Sequence, residues 1–349
     1  MPLVSSSPFP LFWNVGESQA PPIDVTQFDF SPRNYTQVGN QCSNPSTNCS
    51  AWTQGVFPTI SDKGIKINGG VPQAGDLALH LQMFKEGVTT WIPDVNWNGN
   101  AVLDFEAWTT VWELNNHPDN WHGARYQNES LRIVQQAHPE YNQTQLEAAA
   151  KQEFETAATE WFVKSLELGR QLRPLAKWGF YGLPSNELDL CSSNNNESTV
   201  KCSYDGPNGV VLKEYAARQS PIWAASDALF PSIYYPDALV GYPRNATGYV
   251  KAVVAECVRL VAKSNKPVYA YGWHAYHSGN QLISVDEIIN MYKVTKESGG
   301  DGVVLWGPTH WNVSLDYWQQ LSQTIGPASK EWCEQQRIDG LGGCVLGEE

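Results

Sequence analysis

The stretch Asn100-Ala-Val-Leu-Asp-Phe-Glu-Ala-Trp108 decides how the rest of the chain is interpreted. Its apolar run, residues 101–103, is typical of a buried strand. The run ends in Asp104 and Glu106, which an extended strand presents on one face, about 6–7 Å apart. Two like charges at the mouth of an apolar core repel, so the more desolvated acid should have a raised pKa and act as a proton donor. Solvated acids at a strand end also fit this short motif, so its context must decide.

Short apolar segments alternate with helix-like segments on both sides of this stretch. Strands are predicted over residues 11–15, 55–60, 100–108, 177–184, 229–235, 266–276 and 301–307, and helices over 76–86, 144–172, 248–264, 285–297 and 315–325. Strands joined through helices are parallel, and about seven such units predict an α/β fold, a closed TIM-like (β/α) barrel in a single domain. We expect a catalytic barrel domain over residues 1–330 and a small disulfide-stapled tail over 331–349.

Charge and hydropathy exclude several classes of partner. The formal net charge of −13 argues against nucleic acid, because phosphate binding needs a basic surface. No run of about 18 apolar residues occurs, so we expect no membrane-spanning helix and no membrane partner. The 15 Trp and 15 Tyr residues suit stacking on sugar rings, although aromatic side chains also fill cores. We expect a monomer.

Glycosylation motifs and cysteines indicate a secreted protein. Seven Asn-x-Ser/Thr sequons lie along the chain, at Asn34, Asn48, Asn128, Asn142, Asn196, Asn245 and Asn312. Six of the seven cysteines fall in close pairs within polar sequence, which we interpret as local disulfides of an oxidising compartment, although the sequence leaves the connectivity open: Cys42 with Cys49, Cys191 with Cys202, and Cys333 with Cys344. Cys257 is predicted to be a buried free thiol. Residues 1–10 lack the features of a signal peptide, so we expect one to have been removed or replaced.

The barrel prediction brings the strand ends together, because active sites of such barrels lie at the C-terminal ends of the strands. The polar and aromatic residues expected there are Asp104, Glu106, Tyr181, Tyr234, Tyr235, Tyr276 and Trp306. Two acids among phenols and indoles suit glycoside hydrolysis. Neighbouring i, i+2 acids cannot flank a sugar from opposite faces, so a substrate-assisted route is predicted, in which the 2-acetamido oxygen attacks the anomeric carbon. Asp104 would orient the acetamido N–H, Glu106 would be the acid and then the base, and Tyr181 and Tyr234 would polarise the acetamido oxygen.

Five ordered segments resemble the hyaluronidase family, glycoside hydrolase family 56. They are Asn68-Gly-Gly-Val-Pro-Gln73 with the following His80-Leu-Gln82, Leu103-Asp-Phe-Glu-Ala-Trp108, Trp178-Gly-Phe-Tyr-Gly-Leu-Pro184, Phe230-Pro-Ser-Ile-Tyr234 and Asp301-Gly-Val-Val-Leu-Trp-Gly307. The resemblance implies a distorted seven-stranded barrel, a proton donor at Glu106, an acetamido-positioning acid at Asp104, and support from Tyr181, Tyr234 and Trp306. It also implies an aromatic cleft residue at Trp52 and a disulfide between Cys191 and Cys202. We add Tyr276 and Trp108 as further substrate-binding residues.

The predicted substrate is therefore a glycosaminoglycan, hyaluronan or chondroitin, cleaved internally at β-1,4 bonds. Thr109 departs from the family, since hyaluronidases similar to the venom enzymes carry Arg just after this Trp. With the net charge of −13, this leaves a less charged N-acetylhexosamine polymer open as an alternative.

The sequence leaves two further alternatives for the function of the protein. A chitinase-like barrel would need Asp-x-x-Asp-x-Asp-x-Glu, of which only Asp104 and Glu106 are present. A catalytically silent, glycan-binding barrel is the other. We predict no metal and no cofactor, because His274 and His277 at i, i+3 on a strand do not share a face. No Ser or Cys lies in a nucleophile-elbow context.

Overall fold

The structure is a computed structural model of the 349-residue chain. It describes residues 7–15, 25–31, 34–38, 55–116, 124–184, 207–241, 243–276, 282–307 and 321–344. The chain forms two compact units. The terminal unit comprises Met1–Tyr35, Tyr181–Val210 and Ala228–Glu349, and the central unit comprises Thr36–Phe180 and Val211–Asp227.

A four-stranded sheet organises the terminal unit. Its strands are β1 (Leu11–Val15), β2 (Phe30–Ser31), β8 (Tyr269–Trp273) and β9 (Gly302–Gly307), in the order β2-β1-β9-β8. All neighbouring pairs are parallel, and Trp273 pairs with Trp306 in the register of β8 and β9. Every residue of β8 is buried, as expected for a parallel strand covered on both faces. The C-terminal ends of β8 and β9 therefore present two indoles side by side.

Three helices complete the described terminal unit: α6 (Pro243–Val261), α7 (Val285–Glu297) and α8 (Gly326–Ile338). A capping box starts α7, with the Ser284 hydroxyl accepting from the Glu287 N–H and the Glu287 side chain accepting from the Ser284 N–H. The predicted disulfide between Cys333 and Cys344 is present, and Cys257 is a buried free thiol as predicted. The proposed division at residue 330 falls within α8 and stays a prediction.

The central unit contains the strand that carries the acidic pair. Its three-stranded sheet has the order β3-β6-β7, where β3 is Asn34–Val38, β6 is Asn100–Asp104 and β7 is Lys177–Phe180. A short antiparallel hairpin pairs β4 (Thr59–Ile60) with β5 (Lys66–Ile67). Its helices are α1 (Leu77–Trp91), α2 (Arg125–Ala137), α3 (Gln143–Leu172), most of α4 (Pro207–Arg218), and α5 (Ser220–Ala225). No helix in the described part of the chain is long and apolar enough to span a bilayer.

Aromatic packing forms the core of the central unit. Phe57 is fully buried, stacks on Phe105 at 4.2 Å between ring centroids, and contacts Phe162 edge-on at 6.0 Å. Gly169 of α3 lies against the Trp178 ring, where an added Cβ would approach ring atoms to 2.7 Å. Because α3 needs this close approach to cover β7, glycine is required there.

Several strands and helices predicted from the sequence differ in length from those in the structure. The predicted strand over 229–235 forms only isolated parallel bridges, which join Leu229 to Val268, Phe230 to Tyr181 and Ser232 to Tyr271. Within it Pro231 has no N–H to donate, which interrupts a continuous ladder. Only Thr59 and Ile60 of the predicted strand over 55–60 are extended and paired. The end of the helix predicted over 315–325 is a π-helical turn, Leu321–Ile325, and α8 follows it. Single 3₁₀ turns lie at Val25–Phe28, Pro72–Ala74, Trp112–Asn116 and Asp237–Leu239.

Candidate active site

Asp104 is the last residue of β6 and is held there by a buried parallel strand pair. Leu103 pairs with Phe180 of β7, and the four residues of β6 that precede Asp104 are all buried. The strand direction therefore carries Asp104 to the C-terminal edge of the sheet. This is the edge at which parallel α/β folds place their sites.

Glu106 follows two residues later and is exposed. Burial, the charge of Glu106 and a hydrogen bond between the two carboxyl groups raise the pKa of Asp104 well above its usual range. A hydrogen bond between two carboxyl groups requires a proton on one of them, and the raised pKa means that Asp104 keeps its proton to a higher pH than an ordinary aspartic acid does. The side chains are therefore closer than the spacing expected of an extended strand, and the more desolvated acid is Asp104 rather than the predicted donor Glu106.

Aromatic anchors fix the backbone on both sides of Glu106. Phe105 stacks on Phe57, and the Trp108 indole N–H donates to the Pro58 carbonyl at 2.6 Å. Trp108 is only 2% exposed and packs against Phe105 and Phe162. The prediction that Trp108 contacts substrate is therefore wrong, because its ring is part of the core.

Tyr181, Tyr234 and Trp306 form an aromatic cluster in the terminal unit. Tyr234 stacks on Trp306 at 5.6 Å and 24° between ring planes, and the rings of Tyr181 and Tyr234 are 5.8 Å apart. The Tyr181 hydroxyl donates to the Ser232 hydroxyl at 3.3 Å. All three rings are partly exposed, so the cluster presents phenols and an indole face of the kind that binds sugars.

Trp273 belongs to the same cluster and was missed in the sequence. Its ring lies 5.1 Å from Trp306, edge to face, and 5.7 Å from Tyr234. Its position at the end of a strand could have identified it as a site residue, since β8 ends at Trp273 rather than at the predicted Tyr276.

The prediction that Tyr276 contacts substrate is wrong. Tyr276 is 2% exposed, and its hydroxyl donates to the Glu287 carboxylate at 2.6 Å. Burial and this carboxylate raise the pKa of Tyr276. β8 ends at Trp273, three residues before Tyr276, and Ala275 forms an antiparallel bridge with Leu282.

Thr109, the position at which the sequence is expected to depart from the family resemblance, is also buried. Its hydroxyl accepts from the Val111 N–H at 3.1 Å, and its N–H donates to the Asn115 side chain at 3.0 Å. Position 109 therefore serves the internal packing of this segment. It is not evidence on substrate charge.

Several predicted residues lie outside the described residues: Trp52, Cys42, Cys49, Cys191, Cys202, His277, Asn48, Asn196 and Asn312. For Asn34 and Asn245 the backbone alone is described. Asn128 and Asn142 are exposed, on α2 and at the start of α3.

No cluster of three potential ligand residues able to hold a metal ion occurs in the described ranges. His274 is buried, and burial lowers its pKa to about 3 in spite of a hydrogen bond to the Trp306 backbone. A neutral imidazole bonded to the strand end has a structural role there.

Comparison with known proteins assigns the family. A sequence model of the family described as hyaluronidase, glycoside hydrolase family 56, matches residues 1–332. The chain belongs to the hyaluronidase family. As a member of this family it is a glycoside hydrolase. Human hyaluronidase-1 is 30% identical, over 99% of this chain and 80% of its own length, and a Tabanus yao hyaluronidase is 29% identical, over 86% and 84%.

Solved hyaluronidase structures share the fold. Bee venom hyaluronidase in complex with a hyaluronic acid tetramer superposes with a TM-score of 0.74 at 24% identity, covering 92% of this chain and 98% of that chain. The monoclinic crystal structure of the same venom enzyme gives a TM-score of 0.72. These likenesses confirm the predicted fold class, a distorted (β/α) barrel.

Proposed function

We propose that this hyaluronidase-family protein is an endo-β-N-acetylhexosaminidase that hydrolyses β-1,4 bonds of hyaluronan or chondroitin by substrate-assisted, retaining catalysis. The observation that carries the proposal is the Asp104–Glu106 pair, in which the end of β6 presents two carboxyl groups close enough to form a hydrogen bond. The venom relative is described as a complex with a hyaluronic acid tetramer, which favours hyaluronan as the first substrate to test.

The hydrogen bond between the two acids argues against a direct carboxylate nucleophile. A retaining enzyme with two carboxyl groups separates them by about 5–5.5 Å, and an inverting one by about 6.5–9.5 Å. Hydrogen-bonded carboxyl groups are too close for either arrangement. A nucleophile supplied by the substrate, the 2-acetamido oxygen, needs only one proton donor and one group that stabilises the acetamido N–H.

That division of roles requires the proton to lie on Glu106 and Asp104 to be ionised when the glycosidic bond breaks. In the free protein burial favours protonated Asp104, but an acetamido N–H that donates to Asp104 favours its ionised form, so substrate binding moves the proton to the exposed Glu106. The acetamido N–H bound to Asp104 gains positive charge as the acetamido oxygen bonds to the anomeric carbon. Glu106 gives its proton to the leaving glycosidic oxygen as that bond breaks. The Glu106 carboxylate then takes a proton from water, whose oxygen opens the cyclic intermediate and regenerates the acetamido group with retained configuration.

The aromatic residues are proposed in supporting roles. Tyr181 and Tyr234 carry partly exposed hydroxyl-bearing rings, which suits hydrogen bonding to the acetamido oxygen. Trp306 stacks on Tyr234 and offers an indole face to a sugar ring. Trp52 stays a proposed cleft residue.

Product analysis on hyaluronan, chondroitin and chitin side by side tests the proposal. We expect the wild type to release saturated, even-numbered oligosaccharides from hyaluronan or chondroitin, and Glu106→Gln to lose at least about 100-fold of the rate while still binding polymer. Glu297→Gln is the matched control, because Glu297 is an exposed carboxylate at the end of α7. Unsaturated products would indicate a lyase. Activity of Glu106→Gln equal to that of Glu297→Gln would remove the proposed role of Glu106.

We also propose a secreted, monomeric glycoprotein that contacts glycosaminoglycan and neither nucleic acid nor membrane. The Cys333–Cys344 disulfide and the exposed sequons at Asn128 and Asn142 support an oxidising, glycosylating compartment. Expression in a secreting eukaryotic host, followed by mass analysis before and after removal of N-glycans, tests this. A protein without glycans and with free thiols would contradict it.

A further inference from the structure

The segment directly after the acidic pair is held by one buried amide. Asn115 is fully buried in the 3₁₀ turn Trp112–Asn116. Its Oδ1 accepts from the Thr109 N–H at 3.0 Å, and its Nδ2 donates to the carbonyls of Thr109 and Val111, both at 2.9 Å. One side chain thus closes three hydrogen bonds to the backbone of residues 109–111.

Two hydroxyl groups complete this cluster, which we call the amide clamp and define as Thr109, Thr110, Val111, Asn115 and Gln219. The Val111 N–H donates to the Thr109 hydroxyl at 3.1 Å, and the Gln219 amide donates to the Thr110 hydroxyl at 2.7 Å. All five residues are buried. A buried polar group that loses its partner is strongly disfavoured, so the clamp has one low-energy arrangement.

Residues 109–111 of the clamp lie three to five residues after Glu106 in the sequence. Between them, Trp108 is tied to the Pro58 carbonyl, and before Glu106, Phe105 is stacked on Phe57. The exposed carboxyl of Glu106 is therefore carried by a short loop that is fixed at both ends. None of the clamp side chains titrates, so its effect on the site is one of position rather than charge.

We propose that Asn115 and Thr109 are positioning residues that hold the backbone carrying Glu106 and thereby set the position of its carboxyl group relative to Asp104. This inference rests on the proposed function, since it assigns the clamp to the same reaction. It also gives Thr109 a role in this chain, because the hydroxyl of Thr109 is one of the groups that fix the loop.

The Thr109→Val and Thr109→Ser pair isolates the hydroxyl. Valine keeps the volume of the buried side chain and removes the acceptor of the Val111 N–H, whereas serine keeps the acceptor. We expect Thr109→Val and Asn115→Ala to lower kcat on the polymer by about 10- to 100-fold with KM within about threefold, because a displacement of about 1 Å costs about 100-fold in rate. Thr109→Ser should stay within about threefold of wild type.

Asn290→Ala is the matched control, because the Asn290 amide donates to the Thr247 hydroxyl at 2.8 Å within the terminal unit, whereas the clamp residues belong to the central unit. Rates are taken well below the melting temperature of each variant and over the full pH range. A smaller folded fraction lowers the rate at every pH by one factor, whereas a displaced Glu106 changes the shape of the pH–rate profile.

The outcomes separate the two proposals. A wild type that cleaves none of the polymers overturns the proposed function. An active wild type whose Thr109→Val variant matches Thr109→Ser in kcat and pH profile overturns the clamp and leaves the proposed function standing. If Asn115→Ala does not fold, the Thr109 pair alone decides.

Discussion

Replacing Glu113 with Gln should weaken the central unit in a pH-dependent way. Glu113 accepts from Arg218 at 2.8 Å and from Lys151, and Arg218 also bonds Glu155. Burial alone would raise the pKa of Glu113, but the hydrogen bonds from Arg218 and Lys151 outweigh it and lower the pKa from 4.5 to about 2. The ion pairs therefore favour the folded state whenever Glu113 is charged.

The magnitude follows from linkage between protonation and folding. A difference of about 2.5 pH units corresponds to about 3.4 kcal/mol. The Glu113 side chain is 36% exposed, so solvent screening reduces the contribution, and we expect about 1–2 kcal/mol. Because the folded-state pKa lies below the unfolded one, this stability is fully present above pH 4.5 and is lost as the pH falls through about 2.

Urea unfolding followed by tryptophan fluorescence measures the effect. At pH 7 Glu113→Gln should lower the free energy of unfolding by about 1–2 kcal/mol, and the difference from wild type should shrink steadily between pH 4.5 and pH 3. Glu167→Gln, which removes an exposed i, i+3 partner of Lys164, serves as the control and should show no resolved change. A wild-type-to-variant difference that is constant from pH 7 to pH 3 would refute the argument, because it would have to come from packing rather than from the charge.

Three further predictions concern local structure. Thr144→Ala should remove the N-glycan at Asn142 without destabilising α3. Asn142→Gln should remove the same glycan and also weaken the helix, because the Asn142 Oδ1 caps it. Glycan mass and melting temperature distinguish the two variants. Gly169→Ala should cost about 1–3 kcal/mol by forcing the Trp178 ring aside, and denaturant unfolding that matches wild type would contradict this. Ser284→Ala should cost about 1 kcal/mol through loss of the α7 cap, with amide exchange fastest in the first turn of that helix.

Long periodic elements and buried runs could be predicted from local sequence. The helix over 285–297 was predicted to the residue, and β1 and β9 follow from apolar segments that only a covered strand accommodates. The segment around Tyr234 was harder, because a proline in an apolar run allows bridges but not a full ladder.

The aromatic residues show where local patterns fail. The sequence predicts that Trp108 and Tyr276 contact substrate, because both are aromatic and lie near strand ends, yet both side chains are buried. Trp273 was not assigned, yet it lies against Trp306. Which way an aromatic ring points after a strand ends depends on the path of the following loop, and the period-2 rule no longer applies there.

The sequence by itself determined that Asp104 and Glu106 lie together at the end of a parallel strand, because covalent spacing and strand geometry suffice for that. It also determined the family, through ordered motifs. Only the tertiary structure decided that Asp104 is the more buried of the pair, that its carboxyl group is hydrogen-bonded to that of Glu106, and that Asn115 and Thr109 hold the loop. Desolvation and hydrogen bonding depend on atoms from segments that lie far apart in the sequence, such as Phe57 against Phe105 and Gln219 against Thr110. No local pattern records which of those atoms meet.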